Sequence, residues 1–208
     1  MRSSKELLKL YKTCITINYH HVENNADYTY TLEDGHLTIY FQQTKGNADW
    51  LRNLQFPTRA FKNSNTKVRY HRGFLSVWNA VKSYIKEIIK DENIKSVTVV
   101  GYSHGAALAT LCYEYIWFKR EDLRNSIDGY GFGSPRVLSR FGLTEEYLER
   151  FKNFYVIANH TDIVTHVPPR LFGYVHVNKP YMIGGNQKYN CIDSHRDYAY
   201  IEALNNEN

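Results

Sequence analysis

The sequence predicts an α/β fold, three layers deep, with helices on both faces of a mostly parallel central sheet. Three observations carry that prediction. Short strand-like runs, "SVTVV", "IDGYGF" and "FYVIA", alternate with helical patterns through the second half of the chain. The run at 96–100 is β-branched and almost continuously apolar, which suits a strand covered on both faces. Helix and strand signals in strict alternation build parallel βαβ units.

Taken in order, residues 3–13 read as a helix, with Ser3 and Glu6 at the spacing of a capping box. "DYTYTLEDGHLTIYF", 27–41, reads as two alternating strands around the turn Asp34-Gly35. A polar connection follows, with a short helix expected at 48–54. In 73–90, Phe74, Val77, Trp78, Val81, Tyr84, Ile85, Ile88 and Ile89 fall at steps of three and four, the signature of an amphipathic helix. The strand at 96–100 comes next, and then the small-residue helix through Ala106, Ala107, Leu108, Ala109 and Leu111. Strands are expected at 127–132 and 154–158, loop with an edge hairpin at 168–190, and a closing helix at 195–204. No repeat, linker or low-complexity stretch divides the chain, so one domain over 1–208 is expected.

Composition excludes several classes of function. The 208 residues are 43% hydrophobic and 23% charged, as in soluble globular proteins. Eighteen tyrosines and ten phenylalanines read mainly as strand and core packing. The net charge of +5 is scattered; only "KVRYHR" at 67–72 clusters, and it reads as a solvated strand edge or loop. There is no nucleic-acid motif. Cys14, Cys112 and Cys191 lack metal-ligand spacing; Cys112 reads as a buried thiol, and a Cys14–Cys191 bridge stays open. The charged N-terminus has no signal-like apolar core, and no run approaches a membrane span, so the expected location is cytoplasmic.

The chemistry concentrates at "VVGYSHGAAL". Gly101-x-Ser103-x-Gly105 between a strand and a helix is the pattern of a nucleophile elbow. So tight a turn brings the flanking positions against each other, which requires glycine at both. The serine hydroxyl then stands above the strand end, and the N–H of His104 opens the helix where negative charge is favoured. A serine needs a base, and the base a carboxylate, in the chain order Ser, acid, His. The acids downstream include Asp122, Asp128, Asp162, Asp193 and Asp197; the histidines are His160, His166, His176 and His195. Asp162 follows an apolar strand and His195 precedes the last helix, which makes them the best pair without excluding the others. His176 alternates with apolar residues and reads as a strand histidine.

Seven segments in order resemble the class 3 lipases, a branch of the α/β hydrolases. They are "LTIYFQQT", "NADWLRNL", "VRYHRGFLSVW", "VVGYSHGAALATL", "YGFGSPRV", "NHTDIVTHVPP" and "SHRDY", spanning about Leu37 to Ile201. The last matches a terminal H-x-x-Y. The resemblance implies an α/β-hydrolase fold with Ser103 as nucleophile, Asp162 as orienting acid and His195 as general base. It also implies oxyanion donors at Thr44 and His104, and no metal or organic cofactor. Gln42 and Gln43 depart from the family's Arg-Gly before the oxyanion threonine, and His104 replaces a leucine.

The resemblance further implies a lid at about Lys45–Phe56, with Trp50, Leu51 and Leu54 as its apolar residues, and a transient contact with a lipid interface. A packed surface helix explains the same residues. The expected activity is hydrolysis of lipid esters. The alternatives are a non-lipolytic esterase, a phospholipase, or a binding protein on the hydrolase scaffold with weakened turnover. Oligomeric state is not legible in the sequence.

Overall fold

The computed structural model describes residues 1–22, 26–42, 58–60, 66–186 and 188–207. The oxyanion position Thr44, Gln43, and the lid residues Trp50, Leu51 and Leu54 lie outside them, as does the helix expected at 48–54.

Helix α1 (Ser4–Thr16) starts from the reciprocal Ser3–Glu6 capping box that the sequence predicts. Strands β1 (Tyr28–Glu33) and β2 (His36–Phe41) form a hairpin. Its turn needs positive φ at both central residues, and Asp34 (φ 49°) and Gly35 (φ 79°) supply it. After β3 (Thr58–Ala60) and β4 (Arg69–His71) come α2 (Arg72–Ile88), β5 (Ser96–Tyr102), α3 (His104–Lys119) and β6 (Ile127–Phe132). The chain continues through β7 (Leu138–Ser139), α4 (Glu145–Glu149), β8 (Phe154–Asn159), β9 (Tyr174–Val175), β10 (Tyr181–Ile183) and α5 (Asp197–Asn206).

The larger sheet runs β1-β2-β5-β6-β8-β10. Every pairing in it is parallel except the β1–β2 hairpin. Successive side chains on its strands point to opposite faces and build two cores. Leu37, Ile39, Phe41, Val97 and Val99 face α2 and α3, around Trp78, Val81, Ala107 and Leu111. Tyr40, Val100, Tyr102, Tyr130 and Phe132 face α1 and α5, around Leu10, Tyr11, Tyr200 and Leu204. Most of the tyrosines are core residues, as expected: eleven of the eighteen are buried. Tyr11 has ring centroids of Phe132, Tyr102 and Tyr200 at 5.0, 5.2 and 5.5 Å.

A second sheet, β3-β4-β7-β9, is antiparallel and is not anticipated by the sequence. It corrects two expectations. "KVRYHR" is not solvated throughout, because β4 buries Tyr70 and His71. Among its described residues the 168–190 segment forms no hairpin: β9 pairs with β7 in the second sheet, and β10 adds to the large sheet in parallel beside β8. The cysteines are all free, with Cys14 and Cys112 buried and Cys191 exposed, so no Cys14–Cys191 bridge forms.

Helix α3 is buried along its length from His104 to Ile116 and lies directly on β5 and β6. Close approach is what its glycine permits. A Cβ on Gly105 would sit 2.2 Å from the Phe41 carbonyl oxygen, and one on Gly101 would sit 2.2 Å from the Gly105 carbonyl oxygen. Backbone cannot yield as a flexible side chain can. Gly105→Ala is therefore expected to lower stability by about 3 kcal/mol or more, measured by denaturant unfolding; a loss under 1 kcal/mol would contradict the contact.

Candidate active site

Parallel strands present their carboxyl ends to one side, and side chains gathered there converge. Register places the ends of β2, β5 and β6 level, with Phe41 beside Gly101 and Tyr102 beside Phe132. Ser103 stands at that level with φ 57° and ψ −122°, in the positive-φ region that L-residues avoid. The chain passes from the last strand residue, Tyr102, to the first helical residue, His104, across this one residue. That is the elbow geometry, and the glycine contacts above are its steric reason.

The imidazole of His195 lies against it, with Nε2 2.7 Å from Ser103 Oγ. On the other side, His195 Nδ1 is 2.8 Å from Asp162 Oδ2. With a carboxylate as partner, Nδ1 carries the proton and Nε2 accepts from the serine hydroxyl. Asp162 is fully buried. Its charge is held by two further donors: the Val164 N–H to Oδ1 at 2.8 Å and the Tyr200 hydroxyl to Oδ2 at 2.6 Å. Burial first, and the Asp162 charge second, push the Tyr200 phenol well above its ordinary range, so it remains a donor.

Other residues fix the imidazole. The Tyr102 ring stacks on it, with centroids 5.1 Å apart at 29°, and the Tyr102 hydroxyl donates to the His195 carbonyl. Gly133 (φ 56°) leaves the space it occupies, since a Cβ there would lie 2.8 Å from His195 Cε1. Asn159, at the end of β8, donates its N–H to Tyr200 and its side-chain amide to the Ser194 carbonyl. Strand β8 and the turn bearing His195 are thus tied to one another.

Sequence reasoning does not single out these supporting residues. The H-x-x-Y match points to Tyr198, which is exposed and meets Tyr189 edge-on at 5.4 Å. Tyr200 is the phenol on Asp162; the signal for it is its place three and four residues before Ala203 and Leu204, on the buried face of α5. The other candidates lie elsewhere. Asp122 pairs with Arg120, and Asp128 accepts from Thr98 and Tyr130. Asp193 accepts from Asn190, and Asp197 opens α5 at the surface. His160 and His166 are exposed. His176 is not within a strand; it follows β9 and donates from Nε2 to the Thr165 carbonyl.

His104 turns inward. Its ring packs against Phe74 at 5.6 Å, and burial, followed by the neighbouring His71, depresses its pKa to about 4. The unfolded chain takes up this proton near pH 6.5 and the folded protein only near 4. Stability from this group is therefore complete above about pH 6.5 and is lost as pH falls toward 4, by about 3 kcal/mol in all. His104→Leu is expected to flatten the dependence of melting temperature on pH across that window. His176, also depressed to about 4 by burial, keeps its own share. An unchanged slope would contradict the assignment.

A cavity of about 510 Å³ lies elsewhere, near the C-terminal ends of α2 and α3, lined in part by Lys86, Lys119 and Arg120; no triad residue lines it.

Residues 38–172 match the family described as Lipase (class 3). A Rhizomucor miehei lipase is 31% identical over 87% of this chain and 50% of its own length. A secreted mono- and diacylglycerol lipase of Fusarium solani is 32% identical over 55% of this chain and 34% of its own length. A chloroplastic phospholipase A(1) of Arabidopsis thaliana is 31% identical over 64% and 33%. The chain thus spans half or less of these relatives' lengths. Among solved structures, a triacylglycerol lipase whose catalytic centre is described as a serine protease triad superposes with a TM-score of 0.75 at 21% identity. That match covers 88% of this chain and 81% of the other. The Rhizomucor miehei lipase–propeptide complex superposes at 0.73 and 19% identity, covering 98% and 80%. The fold is that of the α/β hydrolases. The cytoplasmic expectation is overturned: relatives from Fusarium, Malassezia and Penicillium are named as secreted lipases, which points outside the cell.

Proposed function

This chain belongs to the class 3 lipase family, and from that premise we propose that it hydrolyses carboxylic esters of acylglycerol type through Ser103, His195 and Asp162. The observation that supports this reading is the unbroken chain of hydrogen bonds, 2.7 Å from Ser103 Oγ to His195 Nε2 and 2.8 Å from His195 Nδ1 to Asp162. Each atom in it matches a step.

His195 Nε2 takes the Ser103 proton as Oγ forms its bond to the acyl carbonyl carbon. Asp162 stays ionised and steadies the imidazolium. The carbonyl oxygen, now negative, lies toward the start of α3, where the His104 N–H and the helix dipole face it. As the C–O bond to the alcohol breaks, His195 returns the proton to the leaving oxygen. Water, deprotonated by His195, then attacks the acyl-enzyme; the acid leaves and Oγ is reprotonated. The second oxyanion donor in this reading is Thr44.

A second reading, ester hydrolysis in phospholipids, draws support from the relative named as a phospholipase A(1). One assay separates the two: hydrolysis rates across glyceryl esters of rising acyl length and across phospholipids of matched chains. Acylglycerols turned over at least tenfold faster than phospholipids support the first reading. The reverse order favours the second, and no turnover on any ester overturns both.

A further inference from the structure

Two loops leave the carboxyl ends of β6 and β8, the end of the sheet that carries the triad, and they meet through β7 and β9. Both end in apolar side chains turned to solvent. Phe141 is 60% exposed, Phe172 54%, and Leu171, at the crest of a 3-10 turn over Arg170–Phe172, is 88% exposed. Single exposed apolar residues are common; three large ones on adjoining loops are not. The loops hold each other firmly. The Arg140 N–H donates to the Gly173 carbonyl at 2.8 Å, and Phe141 lies over Gly173, where a Cβ would meet its ring at 2.8 Å. Arg136, in the segment between β6 and β7, ties that segment to the 163–172 loop by donating to the His166 and Pro168 carbonyls.

Charge says what this tip fits. Residues 133–143 and 163–175 contain Arg136, Arg140 and Arg170 and no aspartate or glutamate. The Arg140 and Arg170 side chains are exposed. The Arg140 guanidinium stands 5.1 Å from the centre of the Phe141 ring. An apolar point with guanidinium groups at its base matches a lipid surface, with acyl chains for the point and headgroup phosphates for the collar. Ile163, next to Asp162 in the chain, and Ile192, three residues before His195, are exposed as well. We infer that Phe141, Leu171 and Phe172 form an anchor that inserts into an anionic lipid surface, with Arg140 and Arg170 on its headgroups. The inference rests on the ester-hydrolase reading for the nature of the partner.

The test uses the full chain and vesicles of ether-linked phosphatidylglycerol or phosphatidylcholine, which contain no ester to cleave. Binding is read by sedimentation. The unsubstituted chain is expected to bind phosphatidylglycerol at least tenfold more tightly than phosphatidylcholine. Leu171→Asp with Phe172→Asp should lower binding at least tenfold while leaving hydrolysis of water-soluble butyrate esters within twofold. Arg140→Gln with Arg170→Gln should remove the preference for phosphatidylglycerol. Vesicle binding unchanged by the Asp pair overturns the anchor, as does an unsubstituted chain that binds neither vesicle. A concentration-dependent dimer abolished by the Asp pair, with vesicle binding intact, assigns the face to a second copy instead. Absence of butyrate hydrolysis in the unsubstituted chain counts against the ester-hydrolase reading alone, because the vesicle measurement needs no turnover.

Discussion

Ser103→Ala is expected to reduce ester turnover by about 10⁴–10⁶-fold, with KM little changed for any residual reaction. The reason is specific to the hydroxyl. Oγ is the atom 2.7 Å from His195 Nε2, and alanine places no oxygen there to attack the acyl carbon. The fold should survive, because alanine takes the same backbone conformation and leaves the Gly101 and Gly105 contacts in place. Circular dichroism and a melting temperature within a few degrees of the parent would separate loss of chemistry from loss of structure. Turnover within tenfold of the parent would remove Ser103 from the mechanism. A phosphonate ester gives the complementary readout, one adduct on the parent and none on the variant.

Asp162→Asn is expected to cost about 10⁴-fold in kcat. Asp162 is buried and receives three donors, from His195, Tyr200 and Val164. An amide has one acceptor oxygen and an NH₂ group where the carboxylate has two acceptors. If its oxygen keeps the Val164 N–H, its NH₂ faces the Tyr200 hydroxyl and His195 Nδ1. The imidazole must then present an unprotonated Nδ1, which moves the ring proton to Nε2 and blocks acceptance from Ser103. Because the lost step is deprotonation, activity should recover partly at alkaline pH, where hydroxide substitutes for the base. A loss under tenfold would mean that Asp162 is not the group that orients His195.

Much of this arrangement is legible along the chain, because its signals are local. The turn at Asp34-Gly35, the Ser3–Glu6 cap and the strand at Ile127–Phe132 each rest on a few neighbouring residues. The Gly-x-Ser-x-Gly elbow is legible as a motif at one strand–helix junction: Gly101 is demanded by Gly105 itself, whereas Gly105 is demanded by Phe41 on β2, far back along the chain. What stays hidden is non-local. Strands β7 and β9 are two residues each and pair with partners far along the chain, so no periodicity marks them. Tyr70 and His71 sit between arginines, and only the second sheet explains their burial. Tyr200 reaches Asp162 because α5 packs its inner face on β8, a fact of docking that the four residues between it and His195 do not reveal.

The backbone at residue 103 carries a further consequence. A non-glycine residue at φ 57° and ψ −122° sits about 1–3 kcal/mol above a relaxed one. Ser103→Gly should relieve that penalty in the folded state, offset in part by glycine's extra freedom when unfolded, and should melt no lower than Ser103→Ala. On the proposed mechanism the relaxed variant at this position is an inert one, so a search for heat tolerance that does not also demand turnover favours loss of Ser103.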